Sequence, residues 1–79
     1  MTIEIIFGEI LKQYRIERGL SQEELALSIN LDRTYISMLE RGKRQPTISS
    51  LFAIAEGLNI KPSDLIKELE KRYTKPNDE

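Results

Sequence analysis

The chain has no cysteine, no histidine and no tryptophan among its 79 residues, and its only aromatic side chains are three tyrosines and two phenylalanines. Without cysteine there is neither a disulfide framework nor a thiolate metal site, and a reducing compartment is permitted. Without histidine or cysteine the usual general base and thiol nucleophile are missing. The carboxylates are scattered along helical patterns rather than set at a metal-ligand spacing, and no glycine-rich phosphate loop occurs. No catalytic residue, metal or cofactor is therefore expected. No apolar run approaches the roughly 20 residues needed to span a bilayer, and the amino terminus lacks a signal-peptide pattern. A cytoplasmic location without membrane partners is the expectation. Length predicts one domain over residues 1–79, with a core near the lower limit for independent stability, and no room for a sizeable small-molecule pocket.

Positive charge is also in short supply overall, with a net charge of -1 and a sequence pI near 5.5. Its distribution is uneven. Residues 1–32 carry Lys12, Arg15 and Arg18 against six carboxylates, whereas residues 33–44 carry Arg33, Arg41, Lys43 and Arg44 against Glu40 alone. Exposed charges are screened beyond about 8 Å at physiological salt, so the local excess of cations governs what this segment can touch.

Apolar residues recur with helical spacing through most of the chain. Ile3, Ile6, Phe7, Ile10, Leu11 and Tyr14 form one stripe, which predicts a first helix ended by Gly19. Ser21-Gln22-Glu23-Glu24 is a capping box. It opens a second helix of about eight residues that buries Leu25, Ala26 and Ile29. Asn30 and Leu31 make a turn, and Asp32 caps a third helix running to about Arg41, with Gly42 as its stop. Pro46 and Thr47 start a fourth, whose Ile48, Leu51, Ile54, Ala55 and Leu58 share a face. Gly57 is expected to weaken its last turn. Pro62 and Asp64 suit the first turn of a fifth helix carrying Leu65, Ile66, Leu69 and Tyr73. Residues 74–79 read as a polar tail. Five helices with short connections and no strand signal predict a compact all-α fold, and the unit over about residues 21–42 has the lengths and caps of a helix-turn-helix.

The third helix is the informative one. Ile36 and Leu39 share its inner face, while Arg33, Thr34, Tyr35 and Ser37 are offered to solvent near its amino end and Arg41, Lys43 and Arg44 follow it. A short helix so equipped suits a DNA groove.

The run Leu20-Ser21-Gln22-Glu23-Glu24-Leu25-Ala26, followed by Ile36, Leu39, Glu40, Arg41, Gly42 and Lys43, resembles the lambda-repressor and Cro-like (XRE) helix-turn-helix proteins over about residues 5–70. Within that family Leu31-Asp32-Arg33-Thr34-Tyr35-Ile36-Ser37 and the downstream Glu-Arg-Gly-Lys-Arg are similar to the controller proteins of restriction-modification systems, small homodimeric regulators. The resemblance implies a five-helix lambda-repressor-like domain that binds a pseudo-palindromic double-stranded DNA operator. It implies that Gln22 contacts phosphate and braces the reading helix, and that Arg33, Thr34 and Ser37 face base edges. The Arg33 fork suits guanine. Arg41, Lys43 and Arg44 would grip phosphates, and Arg15 and Glu40 would pair within the fold. Asn59, where the family has glycine, and Gly57 imply a looser fourth helix and exit.

Plainer readings stand beside these. The Arg33–Ser37 face can be ordinary solvated surface, the cations an ordinary basic turn, and Tyr35 either a contact to the sugar-phosphate backbone or a cover for the core edge. Leu65 belongs to the core, but Leu58, Ile60, Ile66, Leu69 and Tyr73 offer either a core stripe or a self-association face. Alternative functions are a phage-type repressor, or an antitoxin or other protein-interaction module on the same fold. RNA polymerase is a candidate second partner of a regulator.

Overall fold

The computed structural model describes residues 1–73, and the predicted polar tail lies outside the described residues. Five helices follow one another: α1 (Ile3–Glu17), α2 (Gln22–Ser28), α3 (Arg33–Glu40), α4 (Ile48–Gly57) and α5 (Pro62–Arg72). Among the described residues there is no strand, and no helix is long and apolar enough to cross a membrane.

Local chemistry sets each boundary. Thr2, Ser21, Asp32 and Thr47 stand in extended conformation before α1 to α4, and each side chain accepts from an amide of the first turn. The box at Ser21 is complete, because the Glu24 carboxylate also accepts from the Ser21 amide at 2.8 Å. Asp64 accepts from the Lys61 amide at 2.9 Å and closes the start of α5 behind Pro62.

The carboxyl ends of α1 to α4 share another device. After α3 the Gly42 amide donates to the Leu39 carbonyl and the Lys43 amide to that of Met38, the paired bonds of a Schellman cap, which requires a left-handed residue. Gly42 provides it with φ 72°. At the exit of α4 the same bonds run from Asn59 to Glu56 and from Ile60 to Ala55, with Asn59 at φ 59°. Asparagine reaches this region more readily than other side chains. Both bonds of the cap thus form with asparagine in the left-handed position. Gly57 is a packing residue, since a Cβ there would lie 2.6 Å from Ile29 Cγ2 and 2.8 Å from Leu25 Cδ1.

The core gathers Ile6, Phe7, Ile10 and Leu11 of α1, Leu25 and Ala26 of α2, Ile36 and Leu39 of α3, Ile54, Ala55 and Leu58 around α4, and Leu65 of α5. Helix α1 packs on α3 and α5, α2 on α3 and α4, and α4 on α5. Several positions of the predicted stripes lie outside the fully buried core: Ile3 is 37% exposed, and Tyr14 and Leu51 are half-buried. Ile48 keeps the spacing of Leu51, Ala55 and Leu58 but is 78% exposed, because it stands in the first turn of α4 at the rim of an open groove that it lines with Ile66 and Leu69. Ile29 is only half-buried as the C-cap of α2.

Gly8 fixes how closely α1 approaches the end of α3. A Cβ on it would fall inside contact distance of the carbonyl oxygens of Leu39 and Glu40, which are backbone and cannot swing aside. Gly8→Ala should therefore destabilise the fold by about 1–3 kcal/mol, the usual cost of forced overpacking. Urea denaturation monitored by helical circular dichroism measures it, and a loss below about 0.5 kcal/mol would show that α1 can retreat from α3 at little cost.

Candidate nucleic-acid interface

The helix-turn-helix is held together from below by one buried ion pair. Arg15 of α1 donates through Nε and Nη2 to the two carboxylate oxygens of Glu40 at 2.6 and 3.0 Å, and its Nη1 donates to the Leu20 carbonyl at 2.8 Å. The side chains are 10% and 3% exposed. The Glu40 hydrogen bond raises the Arg15 pKa above its ordinary value against the opposing effect of burial. Glu40 Oε1 also accepts from Gln22 Nε2 at 3.0 Å. A single carboxylate thus joins α1, the start of α2 and the end of α3, fixing the angle at which α3 is presented.

On this base the predicted reading residues come to the surface. Arg33 is the first residue of α3, exposed, and lines a shallow depression with Gln22, Ser21, Glu23 and Arg15. It forms no ion pair with another described residue. Gln22 and Arg33 each stand at the first position of their helices, so two amino-terminal turns open beside one another. Thr34 is exposed, and its amide is taken by Asp32 Oδ1 at 3.0 Å. Ser37 is half-buried and accepts from Arg41 Nε at 3.3 Å. Its own proton remains available for a base acceptor.

Tyr35 differs from its neighbours. Half-buried and packed against the core, it places its hydroxyl 2.9 Å from Ser50 Oγ. The Arg44 guanidinium lies over its ring at 5.7 Å from the centroid, within range of a cation–π attraction. The core-edge reading describes its position in this structure. Arg41, Lys43 and Arg44 are all exposed, and the next residue is anchored: Gln45 Nε2 donates to Glu4 at 2.6 Å. That bond, above all, keeps the Glu4 carboxyl below its ordinary pKa. The cations therefore sit on a loop tied at both ends.

The helix-turn-helix (HTH_3) family matches residues 11–65. This chain is a member of that family. Control protein C.MunI from a Mycoplasma species is 47% identical over 70 residues, covering 87% of the chain and 95% of the relative. The restriction-modification controller protein C.AhdI from Aeromonas hydrophila superposes with a TM-score of 0.76 at 39% identity, covering 77% of this chain and 92% of that one. The controller C.Esp1396I, crystallised as a tetramer on its natural 35 base-pair operator, superposes with a TM-score of 0.80 at 39% identity, over 90% of this chain and 93% of that one. The all-α lambda-repressor-like expectation is met, and the relatives are regulators rather than enzymes.

For this helix-turn-helix protein the expected self-association face needs correction. Leu58 is fully buried: it caps α4 and points into the core, so it has no surface to offer a second copy. Ile60, Leu69 and Tyr73 are half-buried against the core, and Ile66 is 46% exposed. Sequence reasoning missed Phe52, exposed at 58%, and the exposure of Ile48. These two stand one turn apart on α4, Ile48 within the apolar spacing and Phe52 beside it. A helical wheel would have found Phe52 alone. Ile48 and Ile66 line one apolar groove together with Ile3, Phe7, Leu51 and Leu69. Phe52 and Ile60 line the adjoining depression over Ala53 and Pro62.

Proposed function

We propose that this protein is a sequence-specific double-stranded DNA-binding autoregulator of the controller type, acting as a homodimer on a pseudo-palindromic operator. The observation that carries the reading is Arg33 at the exposed tip of an α3 whose angle is locked by Arg15, Glu40 and Gln22. Arg33, Thr34 and Ser37 read base edges in the major groove. Gln22, Arg41, Lys43 and Arg44 contact phosphates, which position the helix without carrying sequence information. Coverage of nearly the whole length of C.MunI and C.AhdI supports the controller reading.

The dimer in this reading forms through α4 and α5, with Ile48, Phe52 and Ile66 at its centre and Ile60, Leu69 and Tyr73 contributing at its edge. An isologous contact buries the same apolar patch from both copies. It would set two copies of α3 roughly 34–36 Å apart, one turn of DNA. Activation from an operator upstream of the promoter requires a contact with RNA polymerase, whereas repression from an overlapping one requires none. Such a regulator works in the cytoplasm, where the DNA is.

Two measurements test the reading. Titration of a labelled fragment from upstream of the protein's own gene should show binding tighter than to unrelated DNA of equal length, and equal affinity for both would refute it. Phe52→Glu should convert the dimer into a folded monomer in sedimentation equilibrium at micromolar concentration, and should weaken operator binding. An unchanged mass with intact helical circular dichroism would remove α4 from the interface.

A further inference from the structure

The network behind Tyr35 extends the proposed DNA reading beyond the groove surface. Ser50, at 6% exposure, is one of two buried polar residues among those described, the other being Arg15. Its backbone amide donates to Thr47 Oγ1 at 3.0 Å as part of the α4 cap. Its hydroxyl has three polar neighbours: the Thr47 carbonyl at 3.0 Å, Thr47 Oγ1 at 3.1 Å and Tyr35 Oη at 2.9 Å.

The Thr47 carbonyl already accepts from the Leu51 amide at 2.9 Å, and either hydroxyl can donate in the Tyr35–Ser50 bond. In both arrangements the bond holds the ring. The ring carries Arg44 on its face, and Tyr35 stands on α3 between Thr34 and Ile36.

We propose that Ser50 is a specificity-determining positioning residue: through Tyr35 it locks the reading helix α3 to the start of α4 and holds the Arg44 guanidinium in register with Arg33 and Thr34. This rests on the DNA-reading function proposed above. Sequence recognition requires base contacts and phosphate contacts to be met at once, because phosphate contacts set the register in which bases are read. A loosened Tyr35 lets Arg44 reach phosphates from many positions. Binding to arbitrary DNA then survives while discrimination falls. A role confined to stability behaves differently, since a smaller folded fraction lowers affinity for every sequence by the same factor.

The test is a double-mutant cycle on specificity. Dissociation constants for the operator fragment and for a fragment with scrambled half-sites are measured by fluorescence anisotropy for the wild type, Ser50→Ala, Tyr35→Phe and the double variant. Each single variant is expected to lower the ratio of the two constants by about three- to tenfold, the scale of one buried hydrogen bond. The double variant should lower it no further than either alone. An unchanged ratio in Ser50→Ala, or effects that multiply in the double variant, would overturn the proposal. Should Ser50→Ala fail to fold by circular dichroism, Tyr35→Phe decides alone, because it removes only the hydroxyl and keeps the ring beneath Arg44; an unchanged ratio there overturns it. A wild-type ratio near one would instead refute the DNA-reading function itself, before any variant is compared.

Discussion

Glu40→Ala is expected to remove about 3–5 kcal/mol of folding stability, the cost of leaving a buried charge without its partner. The Arg15 guanidinium would keep one bond, to the Leu20 carbonyl, and lose both bonds to the carboxylate. Gln22 would lose its acceptor as well. A chain of this length has a total stability of only about 4–12 kcal/mol, so the variant should lose a large share of it. Arg15→Ala should be similarly damaging, because Glu40 is then the stranded charge. Restoring an apolar match by replacing both residues together should recover much of the stability, since well-packed hydrophobic replacements of buried ion pairs are often neutral or stabilising. Urea denaturation of the two single variants and the double variant provides the measurement. Single variants costing less than about 1 kcal/mol would mean that water reaches the pair and that it does not organise the three helices.

Arg33→Ala should leave stability within about 0.5 kcal/mol, because the residue is exposed and forms no ion pair among the described residues. Its effect falls on recognition. One bidentate contact to guanine contributes about 1–3 kcal/mol of discrimination, and the proposed dimer makes the contact in both half-sites. The ratio of operator to scrambled-fragment affinity should drop by at least about fivefold per half-site. Lys43→Ala, at an exposed cation of the following loop, is the control with a different signature. As a phosphate ligand it should, when removed, weaken binding to all sequences and flatten the dependence of log K on log salt by about one unit for each phosphate no longer neutralised. If Arg33→Ala weakened both fragments equally and flattened the salt slope in the same way, Arg33 would be a phosphate ligand and the base-reading assignment would fail.

These two variants separate the two tasks of one short segment. The charge imbalance of residues 33–44 is legible without any structure, and so is the capping box that opens α2. The caps are local: Ser21, Asp32 and Thr47 satisfy amides two or three residues away, and such bonds depend on nothing remote. Pairing of Arg15 with Glu40 is different. It spans 25 positions, and nothing in helical spacing marks an arginine in an amphipathic stripe as buried. Only the family resemblance pointed to it.

The residues that sequence reasoning misplaced have equally physical causes. Ile48 fits the apolar spacing of α4 but stands in its first turn, at the rim of an open groove that it lines with Ile66 and Leu69 of α5, so spacing alone could not say that it remains exposed. Leu58 keeps the spacing of the α4 stripe, and its nearness in sequence to α5 makes it equally a candidate for the self-association face. The Schellman turn at Asn59 folds the chain back over the end of α4, and the structure buries Leu58 completely. Gly8 gives no sequence signal, because a glycine within a helix reads only as a weak helix former. Its purpose appears when the Leu39 and Glu40 carbonyls are placed against it.

By itself the sequence determined the number and order of helices, their caps, the helix-turn-helix spacing and the cationic character of the segment after Asp32, because each depends on contacts within a few residues. The tertiary structure decided which apolar residues remain outside, how Arg15, Gln22 and Glu40 converge, and that Tyr35 turns inward to Ser50 while Arg33 and Thr34 stay in solvent. Those outcomes depend on how helices far apart in the chain pack together. Neighbouring side chains on one short helix were thereby given opposite tasks, which a linear pattern of polar residues could not separate.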